Sequence, residues 1–530
     1  MRKIILSLSF AFLVLTGLSA QEIGLRKGDC TPDLTAADDV AAARAIGRRK
    51  LPPINNTWNP DKVYRQLVIL LSYSDTDFQM ENPKETYNRI FNEGGYNQRD
   101  GMGCVADYFR DQSGGMFNLQ FDVFGPYKVS SKAQPITNPT ENTRNYGRDP
   151  MMEATRMMLA ENPNHDFTPY DWNNTGSINQ VIYISAGYAG NQSREFCYGY
   201  IWPNTSTFSA ITTHDGKKIS NYTCSCELWD NNSSCGIGTI CHEYTHSLGL
   251  PDIYPTSSDA GYSVCDEWDL MDGGNFTNYG WCPPNYTSME KWLLGWIEPI
   301  ELADPASIRD MKPVAEGGDV YKITHSDSEF LLLENRQQRG WDFGAPGKGL
   351  VVYHVYYDRS VWSNNSVNNN ANKRRFELVH ADNMDYDDWN TLLMEKYSAR
   401  IISSQYVNKT RLNSYYLSSS PYPWSTDTTT FVNNQLTDNS VPPVKMNYPN
   451  LEGKIKLEKP ITNIQMSEEG FISFDFMGGG SLTGIVENRP LTDSRRGEVY
   501  DLNGRRISAA GSNGIWLIRK SDGTVRKIFK

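Results

Sequence analysis

Two histidines, His242 and His246, have the spacing that most directly indicates chemistry in this chain of 530 residues. In an α-helix, residues four apart lie one turn apart on the same face, so both imidazoles can bind one metal ion. Glu243 lies beside the first histidine, where its carboxylate can hold a water molecule at that metal and accept its proton. The motif H-E-x-x-H therefore predicts a metal-dependent hydrolytic site of the kind that zinc peptidases use.

The residues after the motif predict how a third ligand reaches the metal. Catalytic zinc takes three protein ligands from imidazole and carboxylate groups and leaves a fourth position for water. Gly249 permits the positive φ of a helix C-terminus, and Leu250-Pro251 leads the chain out of the helix. We therefore expect Asp252 to return to the metal as the third ligand.

Alternating strands and helices must position this site. Apolar or alternating patterns predict strands at 66–73, 117–124, 180–185 and 217–228. Helical patterns cover 82–91, 104–111, 150–161 and the motif segment 235–248. The alternation predicts an α+β or α/β catalytic domain over residues 56–299.

The chain after residue 296 has a different character. Strand-like patterns at 321–324, 329–335 and 349–357, with a hairpin over 461–476, predict a β-rich accessory domain over residues 300–478. Gly478–Ser481 has the composition of a flexible linker. Residues 479–530 are expected to form a small C-terminal β module.

The N-terminus predicts export. Arg2 and Lys3 precede an apolar run over 4–15 and a small-residue cleavage site ending at Ala20, so residues 1–20 are interpreted as a signal peptide and 21–55 as a leader or propeptide. A membrane anchor is the alternative, but the run is short for a spanning helix, and we expect no transmembrane segment later in the chain. The net charge of −11 argues against a nucleic-acid partner. We expect a protein that is secreted or held at the outer cell surface, after Sec export through the periplasm.

Cysteine usage agrees with an oxidising compartment. Of nine cysteines, eight lie between Cys104 and Cys282, and this even set predicts up to four disulfide bonds of undetermined pairing. A zinc-thiolate cluster is the rival interpretation, which the lack of paired C-x-x-C spacing disfavours. Cys30 is the ninth cysteine and has no partner in this count.

Several motifs together resemble the immune inhibitor A-type family of secreted bacterial zinc metallopeptidases. These motifs are Gly236–Thr239 before the metal motif, Ile253-Tyr254, Trp268–Met271 and Leu294–Trp296 after it, and Asp107–Ser113 and Phe121–Pro126 upstream. The resemblance covers about residues 60–480. It implies a metzincin-like zinc endopeptidase with His242, His246 and Asp252 as ligands and Glu243 as the catalytic base.

The resemblance also implies roles outside the ligand set. In metzincins a methionine in a tight turn forms an apolar floor beneath the zinc, and Met271 in Trp268–Gly274 is the candidate; simple core packing is the alternative. Tyr286 and Tyr262 are candidates for a tyrosine that steadies the oxyanion, and for both a structural role is the alternative. Family members often carry calcium, so Ca²⁺ is expected beside Zn²⁺, without assigned ligands.

The leader contains a candidate for latency. Cys30, in Lys27–Asp33, resembles the cysteine switch of matrix metalloproteases, in which a leader thiolate fills the water position on zinc. The predicted zymogen would be activated by cleavage near Arg48–Lys50. Asp29 or Asp33 could block the site instead, and a free or intermolecularly paired Cys30 is the plain alternative.

The last fifty residues are similar to the C-terminal sorting domains of the type IX secretion system, carried by the segments 497–506, 514–519 and 525–528. This similarity implies secretion machinery as a partner. A plain accessory β domain is the alternative.

Together these features predict a secreted zinc endopeptidase that hydrolyses peptide bonds in proteins or peptides. A catalytically inactive protease-fold protein and a glycan-binding surface protein are the alternatives. The presence of Glu243 argues against the inactive form, because a catalytically inactive site does not require a general base at that position.

Overall fold

The computed structural model describes residues 58–140, 142–257, 263–385, 388, 389, 391, 417–425 and 432–480, together with four strands between residues 498 and 529. Its described helices are α1 (Pro83–Asn92), α2 (Val105–Gln112), α3 (Arg148–Glu161), α4 (Gly238–Ser247), α5 (Ser288–Leu293) and α6 (Arg359–Ser363). The signal peptide, the leader with Cys30, and Tyr262 lie outside the described residues, so their roles stay predictions from the sequence.

The first half of the described chain is built on a five-stranded sheet with the order β2-β1-β3-β5-β4. Its strands are β1 (Val63–Ser72), β2 (Asn118–Lys128), β3 (Val181–Tyr188), β4 (Asn204–Thr212) and β5 (Lys218–Leu228). The first four strands in this order are parallel, and β4 pairs antiparallel with β5 at the edge. The almost continuous burial of β1 and β3 explains their uninterrupted apolar sequences.

The strands and helices predicted for this half are confirmed to within a few residues at their ends, with two differences. Helix α4 begins at Gly238 and not at 235, because Gly236 has a φ of +68°, which no α-helix allows. Strand β4 was not predicted, because its Thr- and Ser-rich sequence lacks a clear apolar alternation. The mixed α/β character predicted for this half is confirmed.

The second half consists mostly of strands. A five-stranded sheet has the order β11-β10-β9-β8-β6, and its members are β6 (Ile300–Glu301), β8 (Tyr321–Thr324), β9 (Glu329–Arg336), β10 (Gly349–Tyr356) and β11 (Phe376–Leu378). Strand β7 (Ala306–Met311) pairs with the predicted hairpin, β14 (Ile461–Met466) and β15 (Ile472–Phe476), and β12 (Trp424–Ser425) pairs with β13 (Val432–Asn433). The β-rich character is therefore as predicted, while the boundary at residues 299 and 300 stays a prediction.

One apolar core joins the two halves. Ile240 and Tyr244 of α4 belong to the same buried cluster as Val351 and Tyr353 of β10 and Phe376 of β11. The helix that carries the metal motif thus contributes to a core that is also lined by the β-rich sheet. A change in the second half can therefore affect the first.

Four short strands form an antiparallel sheet near the C-terminus, with the order β17-β16-β18-β19. They are β16 (Glu498–Tyr500), β17 (Arg506–Ile507), β18 (Ile515–Arg519) and β19 (Val525–Phe529). A small β module was predicted here, and its sorting role stays a prediction. Within the part of the chain that the structure describes, no helix is long and apolar enough to cross a membrane.

The cysteines require a correction. The eight cysteines from Cys104 to Cys282 are all buried, and among the described residues no disulfide bond joins them. The Sγ atoms of Cys226 and Cys235 are 3.1 Å apart, whereas a disulfide bond is about 2.05 Å long. Buried cysteines pack as small apolar side chains, so an even number of them does not require bridges.

A buried histidine in the β-rich sheet couples stability to pH. In β10, His354 Nε2 lies 2.8 Å from Glu329 Oε1, and its Nδ1 lies 3.2 Å from Glu377 Oε1. Burial by itself lowers the pKa of His354, but the two carboxylates outweigh it and raise this pKa to about 9. Because the pKa of the folded state is raised, the stabilisation is complete below the unfolded value of about 6.5 and is lost as the pH rises through about 9.

We therefore expect His354→Gln to lower the Tm by roughly a few degrees at pH 6 and by clearly less at pH 10. Thermal unfolding of both proteins at the two pH values measures the difference. The exposed His214 supplies the control variant His214→Gln, for which no such pH dependence is expected. An equal Tm difference at both pH values would contradict the ion-pair assignment.

Candidate metal centre

Helix α4 carries the three residues of the H-E-x-x-H motif into the interior. His242, Glu243 and His246 are all buried, and α4 packs against β5 and β4. The helix stops just after His246, and Gly249 has a φ of +103°, a backbone conformation that favours glycine. The predicted helix stop is confirmed, and it turns the chain back so that Asp252 lies beside the two histidines.

Three ligand atoms converge at this point. The Nε2 atoms of His242 and His246 each lie 3.2 Å from Oδ1 of Asp252. The three atoms all lie within 4.8 Å of one another, and among the described residues this is the only group of three or more His, Cys, Asp or Glu side chains with such an arrangement. The described structure thus brings together the three residues that the sequence predicted as ligands.

The hydrogen bonds of the two rings determine which nitrogen faces the group. His242 Nδ1 lies 2.7 Å from the carbonyl oxygen of Leu270, and His246 Nδ1 lies 2.8 Å from that of Leu250. A carbonyl oxygen only accepts, so each Nδ1 carries a hydrogen and donates it. Each Nε2 is therefore the nitrogen that faces the group and is available to a metal, as in known metal sites where a backbone carbonyl orients a ligating histidine.

The donor atoms fit a divalent cation. The Nε2 atoms of both histidines and Oδ1 of Asp252 are buried, and within the described residues they have no hydrogen-bond partner. Burying polar atoms without partners costs free energy, so such atoms usually indicate a bound water or ion. Two imidazole nitrogens and one carboxylate oxygen form a donor set typical of catalytic zinc.

The pKa values within the group of His242, His246 and Asp252 also agree with a cation site. Burial by itself raises the pKa of Asp252, but the two histidines outweigh it and lower this pKa to about 2. Burial lowers the pKa of His242, and Asp252 outweighs this effect and raises it to about 9. The carboxylate is therefore ionised at neutral pH, and a cation that binds to the group would displace the proton that His242 otherwise holds.

The turn around Met271 supports the group through its backbone. The carbonyl oxygen of Leu270 accepts from His242, and that of Met271 accepts from the N–H of Ile253 at 2.8 Å. Asp269 Oδ1 in turn accepts from the N–H of Met271 at 2.7 Å. Met271 itself is fully buried in the main apolar core. The turn is thus connected to residues on both sides of the metal group, while the role of the Met271 side chain as a floor stays a prediction.

An arginine from the β-rich sheet holds this turn in place. Arg336 of β9 is fully buried, and its Nη1 donates to the carbonyl oxygen of Trp268 at 3.3 Å. Its Nε donates to Asp342 Oδ2 at 2.7 Å, and its Nη1 also donates to Glu334 Oε1 at 2.9 Å. The two carboxylates compensate the buried guanidinium, which is how a buried charge is tolerated.

Glu243 is held by a neighbour that sequence analysis missed. Thr205 of β4 places its Oγ1 2.5 Å from the carbonyl oxygen of Glu243 and 3.2 Å from its Oε2. The single hydroxyl hydrogen of Thr205 is thus shared between the carbonyl oxygen, which is closer, and the carboxylate of Glu243. The sequence offered no signal for this contact, because a threonine in a Thr- and Ser-rich strand is ordinary.

Asn365 contacts the third candidate ligand and was also missed. Its Oδ1 accepts from the N–H of Asp252 at 2.6 Å, and its Nδ2 donates to Asp252 Oδ2 at 2.6 Å. The only hint in the sequence was an asparagine-rich stretch over residues 364–370, a composition that is also common in plain loops.

The two tyrosine candidates have different outcomes. The hydroxyl of Tyr286 contacts the hydroxyl of Thr245, its N–H donates to Gln112, and its ring packs against Tyr108 and Trp296. These contacts place Tyr286 in the main apolar core, and its role at the oxyanion stays a prediction. Tyr262 lies outside the described residues. Tyr254, which sequence analysis gave no role, has its ring stacked on that of His242 with centroids 6.4 Å apart.

Calcium has less support than the candidate zinc site. The resemblance to the family implied Ca²⁺. Among the described residues, no second group of three or more His, Cys, Asp or Glu side chains converges in this way, so no calcium ligands are assigned. The candidate zinc group of His242, His246 and Asp252 contains no cysteine, so it is not a zinc-thiolate cluster.

Comparison with known proteins agrees with this geometry. Residues 201–294 match the family described as immune inhibitor A peptidase M6, catalytic domain. The chain is similar to the pre-pro-metalloprotease PrtV of Vibrio cholerae serotype O1, with 22% identity over 270 residues, which are 44% of this chain and 29% of the relative. It is also similar to immune inhibitor A of Bacillus thuringiensis subsp. alesti, with 24% identity over 299 residues, which are 47% of this chain and 42% of the relative.

The chain thus spans less than half the length of the curated relatives it matches. The matched family segment nevertheless contains strands β4 and β5, helix α4, Asp252 and the turn around Met271. On these matches, residues 201–294 are similar to the catalytic domain of the immune inhibitor A-type M6 peptidase family.

Proposed function

We propose that this protein is a zinc-dependent endopeptidase that hydrolyses peptide bonds in protein substrates. The observation that carries the proposal is the buried convergence of two imidazole nitrogens and one carboxylate oxygen beside Glu243. The family match supports peptidase activity, and the donor set favours zinc.

His242, His246 and Asp252 would hold the metal. When bound there, zinc supplies a Lewis acid that polarises the scissile carbonyl and makes water nucleophilic near neutral pH. The Nδ1 hydrogen bonds of both histidines keep the rings oriented, and the ionised Asp252 balances the positive charge.

Glu243 would carry the proton. Its carboxylate accepts a proton from the attacking water and delivers it to the leaving amine, so that the amine departs as a neutral group. Thr205 holds this carboxylate in place from the neighbouring strand. Burial of the site excludes bulk water, which strengthens each of these electrostatic interactions.

The edge strand supports binding of an extended peptide. Strand β4 lies at the edge of the parallel sheet and contacts α4 through Thr205. The outer side of an edge strand presents N–H and C=O groups that can pair with another chain. A substrate bound in this way would lie close to Glu243, an arrangement suited to cleavage within a protein chain and typical of a metzincin-like fold.

Casein hydrolysis by the purified, fully matured protein tests the proposal. We expect stoichiometric zinc in the protein, loss of hydrolysis in 1,10-phenanthroline, and recovery when zinc is added back after the chelator is removed. Activity that persists in metal-free protein would overturn the proposal. Stoichiometric zinc without any hydrolysis of proteins or peptides would favour the inactive protease-fold alternative.

Thr205 allows a finer prediction about Glu243. We expect Thr205→Val, which keeps the side-chain shape, to lower kcat roughly 10-fold, because a hydrogen bond to a charged group is worth about 1.5 kcal/mol or more. The zinc content should be unchanged, and the exposed Thr212 at the end of the same strand supplies the control Thr212→Val. An unchanged kcat in Thr205→Val would show that Thr205 does not help to position Glu243 for catalysis.

A further inference from the structure

The loop after α6 contacts the third candidate ligand across the interface between the two halves of the protein. Asn365 and Asp252 are 113 residues apart in sequence. The carboxamide of Asn365 accepts from the backbone N–H of Asp252 and donates to its Oδ2, with both distances 2.6 Å. These two partners determine the orientation of the Asn365 carboxamide, because the N–H of Asp252 needs an acceptor and the carboxylate of Asp252 needs a donor.

The two oxygens of the Asp252 carboxylate have different neighbours. Oδ2 accepts from Asn365, and Oδ1 lies 3.2 Å from the Nε2 atom of each candidate histidine ligand. A donor on Oδ2 opposes rotation of the carboxylate and so keeps Oδ1 directed toward the two histidines. Among the standard side chains in their usual forms at neutral pH, only an amide offers both an acceptor and a donor in this planar arrangement.

Neighbouring asparagines hold other described residues of the loop that contains Asp252. Asn369 Oδ1 accepts from the N–H groups of Thr256 and Ser257 at 2.7 and 3.0 Å. Asn368 is fully buried, and its Nδ2 donates to the carbonyl oxygens of Ile253 and Phe376. Because Phe376 belongs to β11, the loop that follows the metal helix is attached to the β-rich sheet.

From these contacts, and on the basis of the proposed function, we propose that Asn365 is a positioning residue of the metal centre. It holds the Asp252 carboxylate with Oδ1 toward the metal, so the centre is complete only when the loop over residues 364–370 is docked against it. This loop lies outside the segment 201–294 that matches the family, so the family match alone did not reveal it.

The zinc affinity of three variants of the matured full chain tests this proposal. Asn365→Asp keeps the shape and the acceptor for the Asp252 N–H but replaces the donor by a second carboxylate. Asn365→Ala removes both contacts. Asn369→Ala removes contacts to Thr256 and Ser257 without touching Asp252, and the exposed Asn364 supplies the neutral control Asn364→Ala.

We expect the Kd for zinc, measured by competition with a chromophoric chelator, to rise roughly 10–100-fold in both Asn365 variants. The rise should be clearly smaller in Asn369→Ala and absent in Asn364→Ala. The absorption spectrum of the Co²⁺-substituted protein should change in Asn365→Asp, since the geometry of the Asp252 ligand changes. The Tm of the metal-free Asn365→Asp protein, which reports its fold, should stay close to that of the wild type.

Three outcomes would overturn the proposal. The first is a Kd and a Co²⁺ spectrum in Asn365→Asp that match the wild type. The second is an equal loss of affinity in Asn369→Ala, which would mean that the loop as a whole matters and the Asn365 contact does not. The third is a wild-type protein that binds no zinc, which would overturn the proposed function as well. In the first two cases the wild type still binds zinc, so the proposed function would stand.

Discussion

Replacement of Glu243 by glutamine is expected to lower casein hydrolysis by about 10³-fold, because general base catalysis typically contributes between 10² and 10⁴. Glutamine has nearly the same shape and can still accept from Thr205, but it cannot take a proton from water. The side chain is fully buried, so bulk buffer cannot replace it as the base. The loss should therefore appear in kcat, while KM changes little.

The metal content separates this effect from loss of the site. Glu243 is not among the three converging ligands, so Glu243→Gln should contain as much zinc as the wild type and unfold at a similar temperature. The exposed Glu85 in the first turn of α1 supplies the control Glu85→Gln, which should retain full activity. Hydrolysis by Glu243→Gln at more than a tenth of the wild-type rate would contradict the assigned role.

Replacement of Arg336 by methionine is expected to reduce the free energy of unfolding by about 3–5 kcal/mol. The substitution leaves Glu334 and Asp342, which are both fully buried, without the cation that compensates them. It also removes the donor to the carbonyl oxygen of Trp268, at the start of the turn that supports His242. Denaturant unfolding of the metal-free protein measures the loss.

A second arginine close in sequence provides the control. Arg339 forms an ion pair with Glu316 at 2.8 Å, but both side chains are largely exposed. Exposed pairs contribute about 0–1 kcal/mol, so Arg339→Met should have a small effect. If Arg336→Met and Arg339→Met were equally stable, the buried network would not hold the two halves together.

The contacts of Arg336 bear on the relation between the halves of the protein. Arg336, Asn365 and the shared apolar core all connect the β-rich half to residues around the metal group. A catalytic domain ending at residue 299 was predicted from the change in sequence character. The described contacts indicate that a chain cut at this boundary would lack several interactions that hold the metal centre in place.

Sequence analysis was most successful where the relevant residues are close in the chain. Helix periodicity places His242 and His246 on one face, and the positive φ available to Gly249 returns the chain at Asp252. The buried strands β1 and β3 were evident from their apolar sequences. It failed for the disulfide bonds, because the number of cysteines says nothing about the distances between their sulfur atoms.

The sequence by itself therefore determined the candidate metal-binding residues, the helix that presents two of them and the class of reaction they indicate. Only the tertiary structure decided what holds these residues in position: Thr205 on Glu243, Asn365 on Asp252, and Arg336 on the turn beside His242. The reason is physical. Contacts between near neighbours follow from the dihedral angles of one element, whereas these three contacts, across 38, 68 and 113 residues, exist only once separate elements have packed together.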